Sequence, residues 1–229
     1  ESDADAALMV ADKTFWPDSG RIVFDRSGRP VDIVEKRDIQ KLILSARISQ
    51  MAKACGSVSS RLIREEIVKE IHSEPKSRLM FPNLMARLDE CEDLDSEEIG
   101  ALIPESKQKY VYEVNNERIE MTGDELERRC DTINASVYLF SSEAFYRWIF
   151  SLNTDNAQRE EYLTDIIRLI ARDPERRWKI IPVPARDRFE VMAFNNPEEL
   201  LRIEEYYNAR EKSLVLQERS CERMDEGLR

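Results

Sequence analysis

Thiol and imidazole groups, which often act as nucleophiles, general bases and zinc ligands, are few in this sequence. The four cysteines stand far apart, without a Cys-X-X-Cys pair, at Cys55, Cys91, Cys130 and Cys221. The single histidine, His72, lies at the end of a helical pattern, where a helix-terminal surface role is expected. This spacing does not fit a zinc site or a catalytic triad. We interpret the cysteines as reduced thiols of a cytoplasmic protein.

The charge of the chain and the lengths of its apolar runs argue against two classes of partner. The 229 residues carry a net charge of -11, and the acidic excess is spread along the chain without a basic stripe. Binding of nucleic acid through its phosphates is therefore not expected. No apolar run approaches the roughly 18 residues of a membrane-spanning helix, so we expect no membrane partner.

Strands and helices alternate in two separated parts of the sequence. Residues 1–39 predict strands at 6–10, 21–24 and 31–35, and the turn chemistry of residues 25–30 predicts a hairpin. Residues 132–229 predict strands at 134–140 and 179–183, helices at 143–150 and 163–170, and a last helix that begins at Asn196-Pro197.

The segment between them, residues 40–131, has a different pattern. Apolar residues recur there at helical spacing, interrupted by Gly56 and Pro75. Residues 110–121 predict a hairpin, and Thr122 with Glu125 predicts a capping box for one more helix. The sequence therefore predicts a mainly helical insertion with one hairpin.

Five motifs, in one order, carry a resemblance to a known family. They are Gly20-Arg21-Ile22-Val23, Ile33-Val34-Glu35-Lys36-Arg37-Asp38, Ile133-Asn134, the block from Asp155 to Asp165, and Phe194-Asn195-Asn196-Pro197. This order resembles the sugar-1-phosphate nucleotidyltransferases, in particular the N-acetylglucosamine-1-phosphate uridyltransferase (UDP-N-acetylglucosamine pyrophosphorylase) domain, whose pattern reads YGRIV, IVExKDA, INTG, DNAQGEYYLTD and GVNN. The block that begins at Asp155 is the most specific of the five.

The resemblance implies an α/β fold, the sugar-binding half of a Rossmann-like nucleotidyltransferase domain with a mainly helical inserted subdomain. Residues 1–39 and 132–210 would form that half, residues 40–131 the insertion, and residues 211–229 a polar tail or helix extension. The implied reaction joins a sugar 1-phosphate, most closely N-acetylglucosamine 1-phosphate, to a nucleoside triphosphate, most closely UTP, with Mg²⁺ and release of pyrophosphate. A homo-oligomer is compatible with this resemblance.

The resemblance also assigns four substrate-binding residues. Glu35 would accept hydrogen bonds from sugar hydroxyls, and Asn134 would bond a ring hydroxyl or the N-acetyl group. The amide of Gly20 would lie against the sugar, and Asn195 would help bind Mg²⁺ through its side-chain oxygen. Each residue has a structural alternative: a solvated strand end for Glu35, a backbone bond for Asn134, helix entry for Asn195 and a turn for Gly20.

The sequence departs from the family pattern in three ways. It lacks the glycine-rich LAAGxGTRM loop that cradles the nucleotide phosphates, and the aspartate that binds Mg²⁺ in that half. It also has Ala135-Ser136 and Ala193-Phe194 where the family has glycines. Because the chain begins with Glu1, we expect a processed chain or a fragment. Because the glycine-rich loop is missing from it, we expect this chain to be inactive by itself.

Two other function classes remain as alternatives to the enzyme. The chain could be a non-catalytic binding or regulatory module that kept the sugar-binding half alone. It could also be an interaction protein that works through its acidic helical insertion. The insertion starts just after Glu35 and ends just before Asn134, so it could serve as a lid, an interface or a decoration.

Overall fold

The computed structural model describes residues 3–114, 117–175, 178–194 and 196–226. It forms a mixed α/β fold with two compact units, Glu1–Pro184 and Ala185–Arg229. The strands are β1 (Ala6–Asp12), β2 (Arg21–Phe24), β3 (Pro30–Val34), β4 (Ser57–Ser59), β5 (Asp93–Asp95), β6 (Lys109–Val114), β7 (Glu117–Thr122), β8 (Thr132–Phe140) and β9 (Ile180–Pro184). The α-helices are α1 (Lys36–Cys55), α2 (Ser60–Ile71), α3 (Glu74–Met80), α4 (Pro82–Glu90), α5 (Ser96–Leu102), α6 (Gly123–Arg129), α7 (Ser142–Trp148), α8 (Asp165–Arg172) and α9 (Pro197–Glu226).

The first unit is built on a mixed sheet of strand order β3-β2-β8-β1-β9, which we call the main sheet. β1 runs antiparallel to β8 and parallel to β9, and β2 runs antiparallel to both β3 and β8. The predicted β2–β3 hairpin is confirmed. Its turn is held by Asp25, whose Oδ1 accepts hydrogen bonds from the amides of Ser27 and Arg29, while Gly28 takes φ of 79°.

The main sheet and α8 enclose one apolar core. It contains strand residues such as Leu8, Ile22 and Ile33 together with Ile166 and Ile167 of α8. Residues of the predicted insertion complete this core, namely Ile43 of α1, Tyr112 and Val114 of β6, Met121 of β7 and Leu126 of α6. Ile39 of α1, just before the insertion, belongs to it as well. The insertion hairpin β6–β7 and helix α6 therefore share a core with the main sheet.

A second apolar core lies among α1 to α5. Leu44, Ile48 and Ala52 of α1 pack there with residues of the later helices, such as Ile63, Ile67, Met85 and Ile99. The short strands β4 and β5, which the sequence did not predict, pair antiparallel beside it. Helix α1 thus supplies residues to both cores, the first through its amino-terminal turns and the second through the remainder.

Capping residues account for several helix ends. The predicted capping box of Thr122 and Glu125 is confirmed at α6. A second box, of Asp95 and Glu98, begins α5. α2 ends at His72, which takes a left-handed φ of 55° and is exposed, as the helix-terminal interpretation predicted.

The second unit consists mainly of α9. Asn196 caps this helix, since its Oδ1 accepts a hydrogen bond from the amide of Glu199 over 2.9 Å, and Pro197 occupies the first helical position. The helix continues beyond residue 210 to Glu226. In the described part of the chain, no helix has both the length and the apolar character needed to cross a membrane.

Candidate functional site

Three of the four predicted site residues meet at one corner of the main sheet. In β2, Arg21 lies opposite Val34 of β3 and Ile133 of β8. This register places Gly20, just before Arg21, between Glu35 and Asn134. The amide of Asn134 donates to the carbonyl oxygen of Gly20 over 3.0 Å, and a Cβ built on Gly20 would lie 3.1 Å from Oε2 of Glu35. The fourth residue, Asn195, lies outside the described residues.

The carboxamide of Asn134 is held in one orientation. Its side chain is 4% exposed, and its Oδ1 accepts hydrogen bonds from the amide of Ser136 over 3.0 Å and from the hydroxyl of Tyr138 over 2.7 Å. A backbone N–H can only donate, so the oxygen must face Ser136. Among the described residues the structure shows no partner for the amide nitrogen, which leaves Asn134 with a donor to offer a ligand.

Ser136 occupies a backbone position that favours glycine. Its φ is 57°, in the left-handed region, at the place where the family pattern INTG has its glycine. The hydrogen bond from its amide to Asn134 closes a local Asx-type turn within β8. The chain therefore keeps a glycine-like backbone here while carrying a serine side chain.

Glu35 lies at the junction between β3 and α1 and is partly buried. Burial raises the pKa of its carboxyl group, and the nearby carboxylates of Asp38, Asp165 and Asp32 raise it further. A carboxylate withdrawn from water in this way gains more from hydroxyl donors of a ligand than an exposed one does.

Glu35 lines a cavity of about 310 Å³ between β3, α8 and the insertion hairpin. Asp32 is buried in its wall and accepts hydrogen bonds from the hydroxyl of Tyr110 over 2.8 Å and from the amide of Ile33. Burial raises the pKa of Asp32 to about 6, although the positive charge of Arg168 opposes the shift. The sequence analysis missed Asp32, yet a carboxylate inside the apolar run of residues 31–34 was a usable signal.

The loop that leads to Gly20 is fixed by Arg21. Its guanidinium group, 2% exposed, donates to the carbonyl oxygens of Pro17 and Ser19 and pairs with Glu127 of α6 over 2.8 Å. Lys36 donates to the other oxygen of Glu127, also over 2.8 Å. Burial combined with multiple partners makes this network a rigid support for the corner at Gly20.

The motif block from Asp155 to Asp165 is a loop that leads into α8. Asn156 organises the loop, because its Oδ1 accepts hydrogen bonds from the amides of Gln158 and Glu160. The amide of Ala157 donates to Oδ1 of Asp38 over 2.7 Å, which ties the loop to the start of α1. The loop of residues 155–164, which belongs to the most specific motif, is therefore hydrogen-bonded directly to α1, the helix that follows Glu35.

The described residues do not fit Mg²⁺ by themselves. No group of three or more His, Cys, Asp or Glu side chains among them is arranged to hold a metal ion. Asp32 and Asp165, the most buried carboxylates of the cavity, are instead engaged with Tyr110 and Arg168. We therefore derive no catalytic step through a metal ion.

Comparison with known proteins gives similarity over part of the chain. The chain is 37% identical over 99 residues to the bifunctional protein GlmU of Clavibacter sepedonicus, which is 43% of this chain and 19% of that protein. It is 33% identical over 84 residues to the bifunctional protein GlmU of Buchnera aphidicola subsp. Baizongia pistaciae, which is 37% of this chain and 18% of that protein. No model of a known protein family matches the chain.

These relatives confirm, for part of the chain, the resemblance inferred from the motifs. The matched segments span about a fifth of the length of the two curated relatives. The roles of Gly20, Glu35, Asn134 and Asn195 stay predictions, since similarity over part of the chain does not test individual residues.

Proposed function

We propose that the chain is the sugar-binding part of a sugar-1-phosphate nucleotidyltransferase. The whole enzyme would make a nucleotide sugar, UDP-N-acetylglucosamine, from UTP and N-acetylglucosamine 1-phosphate, with release of pyrophosphate. The convergence of Gly20, Glu35 and Asn134 at one corner of the main sheet carries this proposal, because these residues come from three separate motifs of the resemblance. The similarity to the two GlmU proteins supports it independently.

The chemistry of the three residues suits a sugar ligand. Glu35 accepts hydrogen bonds from hydroxyl groups, and the free amide nitrogen of Asn134 donates to an oxygen such as the carbonyl of an acetamido group. Gly20, which has no side chain, lets the ligand approach the backbone. The corner therefore offers an acceptor and a donor close together, which suits the hydroxyl and acetamido groups of an amino sugar.

The contribution of these residues to catalysis would be positioning. The phosphate oxygen of a sugar 1-phosphate is already an anion, so its attack on the α-phosphorus of UTP needs no general base. Holding the sugar in one orientation lowers the entropic part of the barrier. The nucleotide would bind to a glycine-rich portion that this sequence does not contain, and we assign Mg²⁺ to that portion.

The proposal includes the organisation and location of the protein. Residues 1–39 and 132–210 form the sugar-binding half of a Rossmann-like domain, and residues 40–131 are inserted into it. The cytoplasm is the proposed location, because the scattered cysteines fit a reducing compartment.

A binding experiment with the 229-residue chain tests this proposal. N-acetylglucosamine 1-phosphate should bind saturably in isothermal titration calorimetry, and more tightly than glucose 1-phosphate. Glu35→Gln should weaken binding about tenfold or more, because the charged acceptor of the sugar hydroxyls is replaced by a neutral carboxamide. The matched control Glu65→Gln, on an exposed face of α2, should leave binding unchanged. Absence of saturable binding, or equal effects of both variants, would contradict the proposal.

A second candidate is a binding module without catalysis. Both candidates predict sugar phosphate binding, and both predict no product from this chain with UTP and Mg²⁺. They differ when the chain is fused to the glycine-rich segment of a GlmU protein. The enzyme predicts pyrophosphate release by the fusion, and the binding module predicts none.

A further inference from the structure

A second cavity, of about 450 Å³, lies between α1, the start of α4 and the loop of residues 154–159. Three cationic side chains line it, namely Lys41, Lys107 and Arg159. Lys107 pairs with Asp155 at 3.8 Å, and that pair is solvent-exposed. For Lys41 and Arg159 the structure shows no carboxylate at ion-pair distance among the residues it describes. The walls of this cavity therefore bring cations together without a matching set of anions.

The environment of Lys41 disfavours its positive charge. This side chain is half-buried, and burial lowers the pKa of its amine. Asp38 and Asp155 oppose that shift, whereas the positive charges of Lys107 and Arg159 add to it. An anion in the cavity would relieve both the repulsion and the poor solvation of Lys41.

The amino terminus of α4 faces the same space. Phe81, the N-cap residue, provides no side-chain cap, and Pro82 at the start of the helix has no amide hydrogen. Asn83 and Leu84, the next two residues, line the cavity and carry the first free amides of this nine-residue helix. Uncapped amides and the helix dipole both favour a negatively charged group at this end.

Ser45 of α1 is an independent indication of a ligand. The residue is 2% exposed and lines the cavity. Its hydroxyl has no hydrogen-bond partner within the described part of the chain. The hydroxyl is therefore available to donate to or accept from a ligand in the cavity.

Part of the remaining wall of the cavity is apolar. Leu79, Phe81 and Leu102 contribute to it, and the volume is larger than a bare phosphate ion requires. We propose that this cavity binds the phosphate monoester of a small organic molecule, with the phosphate on Lys41, Arg159 and the α4 amides, and the organic group on the apolar wall. This cavity shares Lys41 and Lys107 with the cavity that Glu35 lines, but Glu35 itself does not line it. The proposal does not rest on the function proposed above.

Phenyl phosphate, inorganic phosphate and phenol serve as probes for the 229-residue chain in isothermal titration calorimetry. We expect phenyl phosphate to bind saturably and several-fold more tightly than inorganic phosphate, and phenol not to bind. Arg159→Gln and Lys41→Gln should each weaken phenyl phosphate binding about five- to tenfold, and Ser45→Ala about threefold. Lys69→Gln removes an exposed charge of α2 and should have no effect.

Thermal denaturation of each variant without ligand shows whether it is folded, and Arg159→Gln changes only an exposed side chain. Glu35→Gln should leave phenyl phosphate binding unchanged, which separates this site from the sugar site. The proposal is overturned if phenyl phosphate does not saturate, if inorganic phosphate binds equally well, or if Lys69→Gln weakens binding as much as Arg159→Gln.

Discussion

Gly20 and Glu35 are so close at the corner of the main sheet that a methyl group on Gly20 would lie 3.1 Å from Oε2 of Glu35. The same methyl would lie 3.2 Å from the carbonyl oxygen of Val34, a backbone atom with little freedom to move. Gly20→Ala should therefore displace the Glu35 carboxylate and weaken binding of N-acetylglucosamine 1-phosphate about tenfold. Calorimetric titration measures this effect, and an unchanged affinity in a folded variant would contradict it.

Tyr138 should act on the ligand through Asn134. Tyr138→Phe removes the hydroxyl that donates to Oδ1 of Asn134 and should lower sugar phosphate affinity about threefold to tenfold without unfolding the chain. In the background of Asn134→Ala the same change should have no further effect. Additive losses in the double variant would show that Tyr138 acts independently of Asn134.

Ser136→Gly should stabilise the protein. A residue other than glycine in the left-handed region costs about 1–2 kcal/mol, and the greater flexibility of unfolded glycine offsets roughly half of the gain. We expect a rise of about 0.5–1 kcal/mol in the free energy of unfolding, measured with urea. Ser136→Ala retains the backbone strain and serves as the control, with no expected gain. A less stable Ser136→Gly variant would refute this account of the turn.

Asp32 should make stability depend on pH. Its pKa is about 6 in the folded protein and about 3.8 in the unfolded chain, so the folded state binds the proton more tightly. Its contribution to stability therefore falls as the pH rises from about 4 to about 6.5, by about 3 kcal/mol in all, and then stays constant.

The comparison of wild type with Asp32→Asn isolates this group, although Arg168, Tyr110 and Asp165 lie near it. Between pH 4 and pH 7.5, the difference in unfolding free energy should shift in favour of the variant. Urea titrations at several pH values measure the difference. A difference in unfolding free energy that does not vary with pH would contradict the raised pKa of Asp32.

Gly123 should tolerate no side chain. A Cβ there would lie 2.5 Å from Cγ1 of Ile43 and 2.9 Å from its amide nitrogen, so Gly123→Ala would force α6 away from α1. We expect a loss of about 1–3 kcal/mol in unfolding free energy. Gly100→Ala in α5 is the matched control, because its Cβ would meet nothing within 4 Å and helix propensity favours alanine. Similar effects of the two changes would contradict the close packing of α1 on α6.

Turns and helix caps were predicted correctly where neighbouring residues form them. The turn at Asp25, the capping box at Thr122 and the cap at Asn196 each lie where the structure has them, because side-chain to backbone bonds act over a few residues. β4 and β5 were missed because each has three residues, too few for a period-two pattern, and they pair across a distance of more than thirty residues.

The site was only partly accessible to the same reasoning. Gly20, Glu35 and Asn134 were found through the family motifs. Their spacing along the chain alone does not indicate that they lie close together in the fold. The strained φ of Ser136 and the orientation of Asn134 depend on the folded backbone and could not be read beforehand. The same holds for the insertion hairpin, whose Tyr112 is buried in the core of the main sheet.

Helix α1 belongs to both apolar cores, with Ile39 and Ile43 in one and Leu44 and Ile48 in the other. If α1 moves away from one core, its packing in the other core is disturbed as well. We therefore expect the two regions to unfold together, and the amides in the middle of α1 to exchange with solvent hydrogen only when both cores open. The helices of residues 40–102 would in this way form one cooperative unit with the main sheet.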